Sequence, residues 1–105
     1  MGYELQTDGT LKESADYFVV GYIPVNGGES ITWASDSQLG NLCEYDEEGN
    51  RLDYWSGQGR KTRSITIKAS SKMIKACFKV SAKDSAYILD NTNGKYLWKG
   101  ANVNG

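Results

Sequence analysis

The residue whose type and setting speak most directly to chemistry is Trp55. A period of two along Arg51–Trp55 places it with Arg51 and Asp53 on one face, with Leu52 and Tyr54 on the other. A Trp beside an Arg and an Asp can stack on the apolar face of a sugar while the charged pair bonds its hydroxyls. Gly57 and Gly59 follow, so the loop 56–61 is expected to approach a ligand closely and to move aside for it. Trp55, Arg51, Asp53 and Tyr54 are therefore the predicted ligand-binding residues, with Trp55 as an exposed platform.

Other chemistries run short of parts. The chain has no histidine, and its serines show no base partner, so nucleophilic catalysis has no visible machinery. Asp46, Glu47, Glu48 and Asp53 supply carboxyls for a glycosidase pair, but three of them crowd one turn tip, where solvated charge is the ordinary outcome. No enzyme and no cofactor are expected. Asp46, Glu48 and Asn50 place oxygens at alternate positions as a calcium loop does, yet Arg51 stands where that loop needs glycine and no distal Glu follows. A looser structural calcium site stays open; no metal ligand is assigned. Cys43 and Cys77 have no CxxC spacing and lie mid-strand, where they read as small apolar residues, with a cross-strand disulfide as the alternative.

These residues need a scaffold, and the sequence describes one. At 105 residues, with 39% hydrophobic content, the chain is long enough for one core. Three Trp, seven Tyr and two Phe carry much of the burial, and twelve Gly against one Pro suit many turns. No apolar run approaches the ~18 residues of a membrane helix, so no membrane is expected. Strand patterns occur at 17–23, 29–34, 39–46, 51–55, 63–68, 73–80, 86–89 and 95–99, with a short first strand around 3–6. Gly49-Asn50 and Asn93-Gly94 mark hairpin turns. No segment has a helical period. The predicted fold is all-β: an antiparallel β-sandwich of jelly-roll type with about eight strands.

The expected core is Val19, Ile23, Ile31, Trp33, Cys43, Tyr45, Leu52, Ile65, Ile67, Ile74, Phe78, Val80, Ile88 and Trp98. Residues 1–15 read as a lead-in, 16–100 as the module and 101–105 as a tail. Met1-Gly2 before domain-like sequence reads as an expression start, and the chain as one module of a longer polypeptide.

The net charge of −1 hides a split: residues 1–57 are strongly acidic and 58–105 strongly basic. Pairing of the halves across neighbouring strands accounts for this, with a basic face for an anionic partner as the sharper alternative. Lys75 and Lys79 share an outward face, but only Cys77 lies between them, so the stacking rings that nucleic acid needs are absent and no nucleic-acid partner is expected.

The order Asp16-Tyr17-Phe18-Val19, Tyr22-Ile23-Pro24-Val25, Gly28-Glu29-Ser30-Ile31, then Leu42-Cys43-Glu44-Tyr45-Asp46-Glu47-Glu48-Gly49-Asn50, Ile65-Thr66-Ile67 and Ile74-Lys75 resembles a β-sandwich module. Such modules are appended to phage tail and baseplate proteins and to secreted glycan-active bacterial proteins. The resemblance covers roughly residues 16–99. In it Glu44 stands where an aromatic usually precedes the Tyr-Asp pair. It implies a galactose-binding or carbohydrate-binding-module-like jelly roll, a glycan ligand, and an extracellular or virion-associated setting. The other reading from the residues is a structural or assembly domain that packs against neighbouring domains and takes no small ligand, since an aromatic can equally be an interface anchor.

Overall fold

The computed structural model describes residues 2–104; the expected start at Met1 and the end of the tail at Gly105 lie outside the described residues. The strands are β1 (Gly2–Leu5), β2 (Leu11–Ser14), β3 (Tyr17–Pro24), β4 (Ser30–Ala34), β5 (Leu39–Tyr45), β6 (Arg51–Trp55), β7 (Thr62–Thr66), β8 (Met73–Lys79), β9 (Tyr87–Asp90) and β10 (Lys95–Lys99). A short 3-10 turn spans Val80–Ala82. Among the described residues no helix is long and apolar enough to cross a membrane.

The protein is the expected antiparallel β-sandwich. One sheet has the order β3-β8-β5-β6 and the other β10-β9-β4-β7. The chain crosses between sheets after β3, β4, β6, β7 and β8, and stays within a sheet at the hairpins β5–β6 and β9–β10. That pattern of crossing is consistent with a jelly-roll type.

Between the sheets lie Ile31, Trp33, Leu39, Leu42, Ile65, Ile67, Ile74, Ala76, Phe78 and Ile88, with Phe18, Ile23, Trp55, Leu97 and Trp98 packed around them. The rings of Phe18, Phe78 and Trp98 meet with centroids 5.6 to 5.9 Å apart. Val80, expected in this core, is 39% exposed because the strand ends at Lys79 and Val80 opens the 3-10 turn. Leu52 is only half-buried, since it sits at a bulge between the pairs Glu44–Asp53 and Tyr45–Arg51.

Residues 2–14, read as a lead-in, form a hairpin of β1 and β2. It lies on the outer face of the β3-β8-β5-β6 sheet, where Leu5 closes a second small core with Cys43, Tyr45 and Cys77. β5 is therefore buried on both faces. Its Leu42 faces the sandwich interior, and its Cys43 and Tyr45 face the hairpin. The Tyr45 hydroxyl donates to the Gly9 carbonyl at 2.8 Å, and Asn41 Nδ2 to the Leu5 carbonyl at 3.1 Å, which fixes the hairpin against the sheet.

Candidate functional site

The structure does not bring the four predicted residues onto one surface. The bulge at Leu52 takes Arg51 out of phase with Asp53 and Trp55 and puts it on the outer face with Tyr54, its guanidinium carbon 5.8 Å from the Tyr54 ring centre. Asp53 stays in phase with Trp55 and forms an ion pair with Lys68 at 3.7 Å. Trp55 is not the exposed platform expected from strand phase: it packs against the sandwich core and donates from Nε1 to Glu44 Oε2 at 2.6 Å. Arg63 covers its ring at 5.3 Å. The exposed ring of β6 is Tyr54, at 43%.

Glu44 explains why Trp55 turns inward. It is fully buried, and its Oε1 accepts from the Lys68 backbone N–H at 2.7 Å and the Ser71 hydroxyl at 2.5 Å. With the Trp55 indole these donors satisfy the carboxylate and tie β5, β6 and the turn before β8 together. A buried carboxylate needs such a shell. Glu44 shares the face of β5 that Leu42 turns to the interior, and the burial of that face follows from the second sheet.

Tyr54 stands at the edge of a groove of about 480 Å³ between the β1–β2 hairpin and the β5–β6 end of the sheet. Tyr17, at the start of β3, supplies a second ring, and Glu4, Gln38, Asn41 and Gln58 supply polar groups. Glu4 comes from β1, Gln38 from the approach to β5, Asn41 from β5 itself and Gln58 from the loop after β6. The floor is set by a close approach of two glycines. A Cβ on Gly57 would lie 2.3 Å from the Gly40 carbonyl oxygen, so the loop after β6 meets β5 closely at this glycine. Trp33 Nε1 donates to the same carbonyl at 3.3 Å. Lys79 Nζ lies 4.6 Å from the Tyr17 ring centre.

Sequence reasoning named Tyr54 but missed Tyr17, Glu4, Gln38, Asn41 and Gln58. Strand alternation reports faces within one strand and is silent about which strands meet across a groove. The short apolar pattern around Tyr3–Gln6 was the available signal that the first residues form part of the fold.

None of the protein-family models, curated proteins or solved structures compared with this chain matches it.

The remaining candidates are engaged within the fold. Asp46 Oδ1 accepts from the backbone N–H groups of Glu48 and Asn50 at 3.0 and 2.9 Å, and Asn50 Nδ2 donates to Oδ2 at 3.0 Å. Those bonds, Asn50's foremost, hold the Asp46 carboxyl below the usual range. The would-be calcium loop is a self-bonded turn, closed by Gly49 at φ 88°. Among the described residues no group of three or more His, Cys, Asp or Glu is placed to hold a metal ion. Cys43 and Cys77 are buried and unbonded. On the outer face of β8 only Cys77 lies between Lys75 and Lys79, yet neighbouring strands supply rings: Lys75 Nζ lies 4.2 Å from the Tyr22 ring centre and 5.4 Å from that of Tyr45.

At the opposite end of the sandwich Glu29 and Asp90, both buried, share the side-chain amide of Asn93. Burial alone would raise the Asp90 carboxyl, but donors from Asn93 and the backbone of Thr92 outweigh it and hold it below the usual range. This pair organises the β9–β10 turn.

Proposed function

We propose that the chain is a non-catalytic binding module and that its ligand is a carbohydrate lying in the groove beside Tyr54. The observation that carries this reading is the groove's composition. Two tyrosine rings from different strands flank a concave surface whose other side chains include the amides Gln38, Asn41 and Gln58 and the hydroxyls of Thr7 and Ser56. Rings offer a flat face to sugar C–H groups, and amides give paired donors and acceptors for hydroxyls. Tyr54 takes the stacking role that strand phase had given to Trp55. The resemblance to modules of phage tail and secreted glycan-active proteins supports the same ligand class and an extracellular or virion-associated setting on a longer protein.

A glycan array on the isolated domain, followed by titration of its hits, tests this. Tyr54→Ala is expected to abolish binding with the fold intact. An array without hits, or hits that bind Tyr54→Ala unchanged, overturns the assignment.

A second reading, an assembly domain packed against neighbouring domains, is favoured by a different feature. Phe18, Val80 and Trp98, bordered by Lys83, Asp84 and Lys99, line a largely apolar cleft of about 380 Å³ at the seam between β3 and β10. Exposed apolar surface of this kind suits a protein contact.

A further inference from the structure

We propose that Glu4 sets the ligand class of the groove, selecting amine-bearing sugars over uncharged ones and uncharged ones over uronates. The inference rests on the carbohydrate reading of that groove and specifies its substrate.

Among the described residues Glu4 is the one carboxylate lining the groove, and no lysine or arginine lines it. Among the described residues its side chain makes no ion pair or hydrogen bond. Three cations border the groove without entering its lining. Lys79 lies over the Tyr17 ring and Arg51 over the Tyr54 ring. Lys12 stands opposite Glu4 in the hairpin register but is exposed and forms no ion pair with it. The groove's lining therefore carries one negative charge, with Lys12, Lys79 and Arg51 at its margins.

A sugar hydroxyl can donate to that carboxylate, and a sugar ammonium donates with full charge assistance. A uronate brings like charge to the same spot and loses affinity. Because the site is open on one side, solvent screens both effects, and each step in the order is expected to be about three- to tenfold.

The test uses the intact domain, titrated calorimetrically with chitosan tetrasaccharide, its fully N-acetylated counterpart and tetragalacturonate. The pH is mildly acidic, where the sugar amine is protonated and carboxylates are ionised. The variants are Glu4→Gln and, as a control, Glu13→Gln. Glu13 pairs with Tyr3 on the alternate face of the hairpin, so its loss changes total charge equally without touching the groove. The expected order is amine, then acetamide, then uronate in the wild type and in Glu13→Gln, collapsing to within about twofold in Glu4→Gln.

A flat or inverted order among sugars that do bind overturns the role of Glu4 while the groove remains a sugar site. An order that survives in Glu4→Gln also overturns it, assigning the preference to the acidic surface as a whole. If none of the three binds although the array gives hits that depend on Tyr54, Glu4 selection is overturned; an array without hits removes the carbohydrate reading itself. A melting temperature for Glu4→Gln equal to the wild type confirms that the variant is folded.

Discussion

The indole N–H of Trp55 and the carboxylate of Glu44 are hydrogen-bonded at 2.6 Å inside the sandwich. β6 and β7 are the edges of opposite sheets, consecutive in the chain, and this bond with its neighbours closes the two edges over the core. The pair holds Trp55 against the core while Tyr54, its neighbour on β6, stays exposed.

Trp55→Ala is expected to cost ~3 kcal/mol, the lower end of the range for emptying a packed aromatic site, because Trp55 is only partly buried. Tyr54→Ala, one residue away on the outer face, is expected to stay within ~0.5 kcal/mol. Urea denaturation of the two variants checks this. A Trp55 variant as stable as the Tyr54 variant would return Trp55 to the surface.

Glu44→Gln tests the carboxylate's own shell. Every partner of Glu44 is a donor: the Trp55 indole, the Lys68 amide and the Ser71 hydroxyl. A glutamine side-chain NH2 must then face one of these donors, leaving a buried N–H unsatisfied at a cost of ~1–3 kcal/mol. The expected result is a clear fall in denaturation midpoint with an unchanged m-value. A midpoint equal to the wild type would mean that water enters this shell.

The sandwich was legible because its strands carry their own signals. Ile31 and Trp33 alternate in β4, Ile74, Ala76 and Phe78 in β8, and Gly49-Asn50 announces the β5–β6 turn. What failed was phase across irregularities. One residue inserted at Leu52 separates Arg51 from Asp53, and a similar shift between Tyr96 and Trp98 lets Leu97 and Trp98 both reach the core. The groove was illegible for another reason. Its walls are joined only by docking the hairpin on the sheet, through Leu5, Tyr45 and Asn41, and no local pattern encodes that contact.

Gly57→Ala should damage the groove from beneath. The new methyl would lie 2.3 Å from the Gly40 carbonyl oxygen and 2.4 Å from Leu39 Cβ, both held by β5. Backbone must shift, at ~1–3 kcal/mol. Loss of stability together with loss of glycan binding is expected, read by thermal melting and titration. Gly59→Ala, where no atom lies within 4 Å of the new methyl, separates steric damage from loss of glycine alone. Since Gly59 has φ 75°, it should lose some stability but keep binding.

Acid should destabilise the protein through its turn carboxylates. Asp8, bonded first by the Thr10 hydroxyl, Asp46, bonded by Asn50, and Asp90 all lie below the ordinary Asp value in the folded state. The unfolded chain then binds more protons in that window, so their contribution is fully present above about pH 4 and is lost as pH falls through the folded values. Melting temperature is expected to hold from neutrality down to about pH 5 and to drop below about pH 4. Asp46→Asn should make that drop shallower. An equally steep drop would assign the acid response to other groups.

The last prediction concerns the thiols and reports on the hairpin that walls the groove. Burial pushes both Cys43 and Cys77 up to about 11, so at pH 8 roughly one thiol in a thousand is ionised. Cys43 Sγ lies 3.5 Å from the Gln6 carbonyl and Cys77 Sγ 4.0 Å from that of Tyr3, so the hairpin covers both. A thiol reagent must wait for the hairpin to lift, and its rate measures that opening. Slow labelling is expected in the native protein, with both thiols reacting at once in denaturant. Leu5→Ala, which empties the hairpin's main anchor in the small core, should accelerate native labelling well before it lowers the stability of the sandwich. Rapid labelling of the wild type would show a hairpin that opens freely, and the groove would then lack a fixed wall.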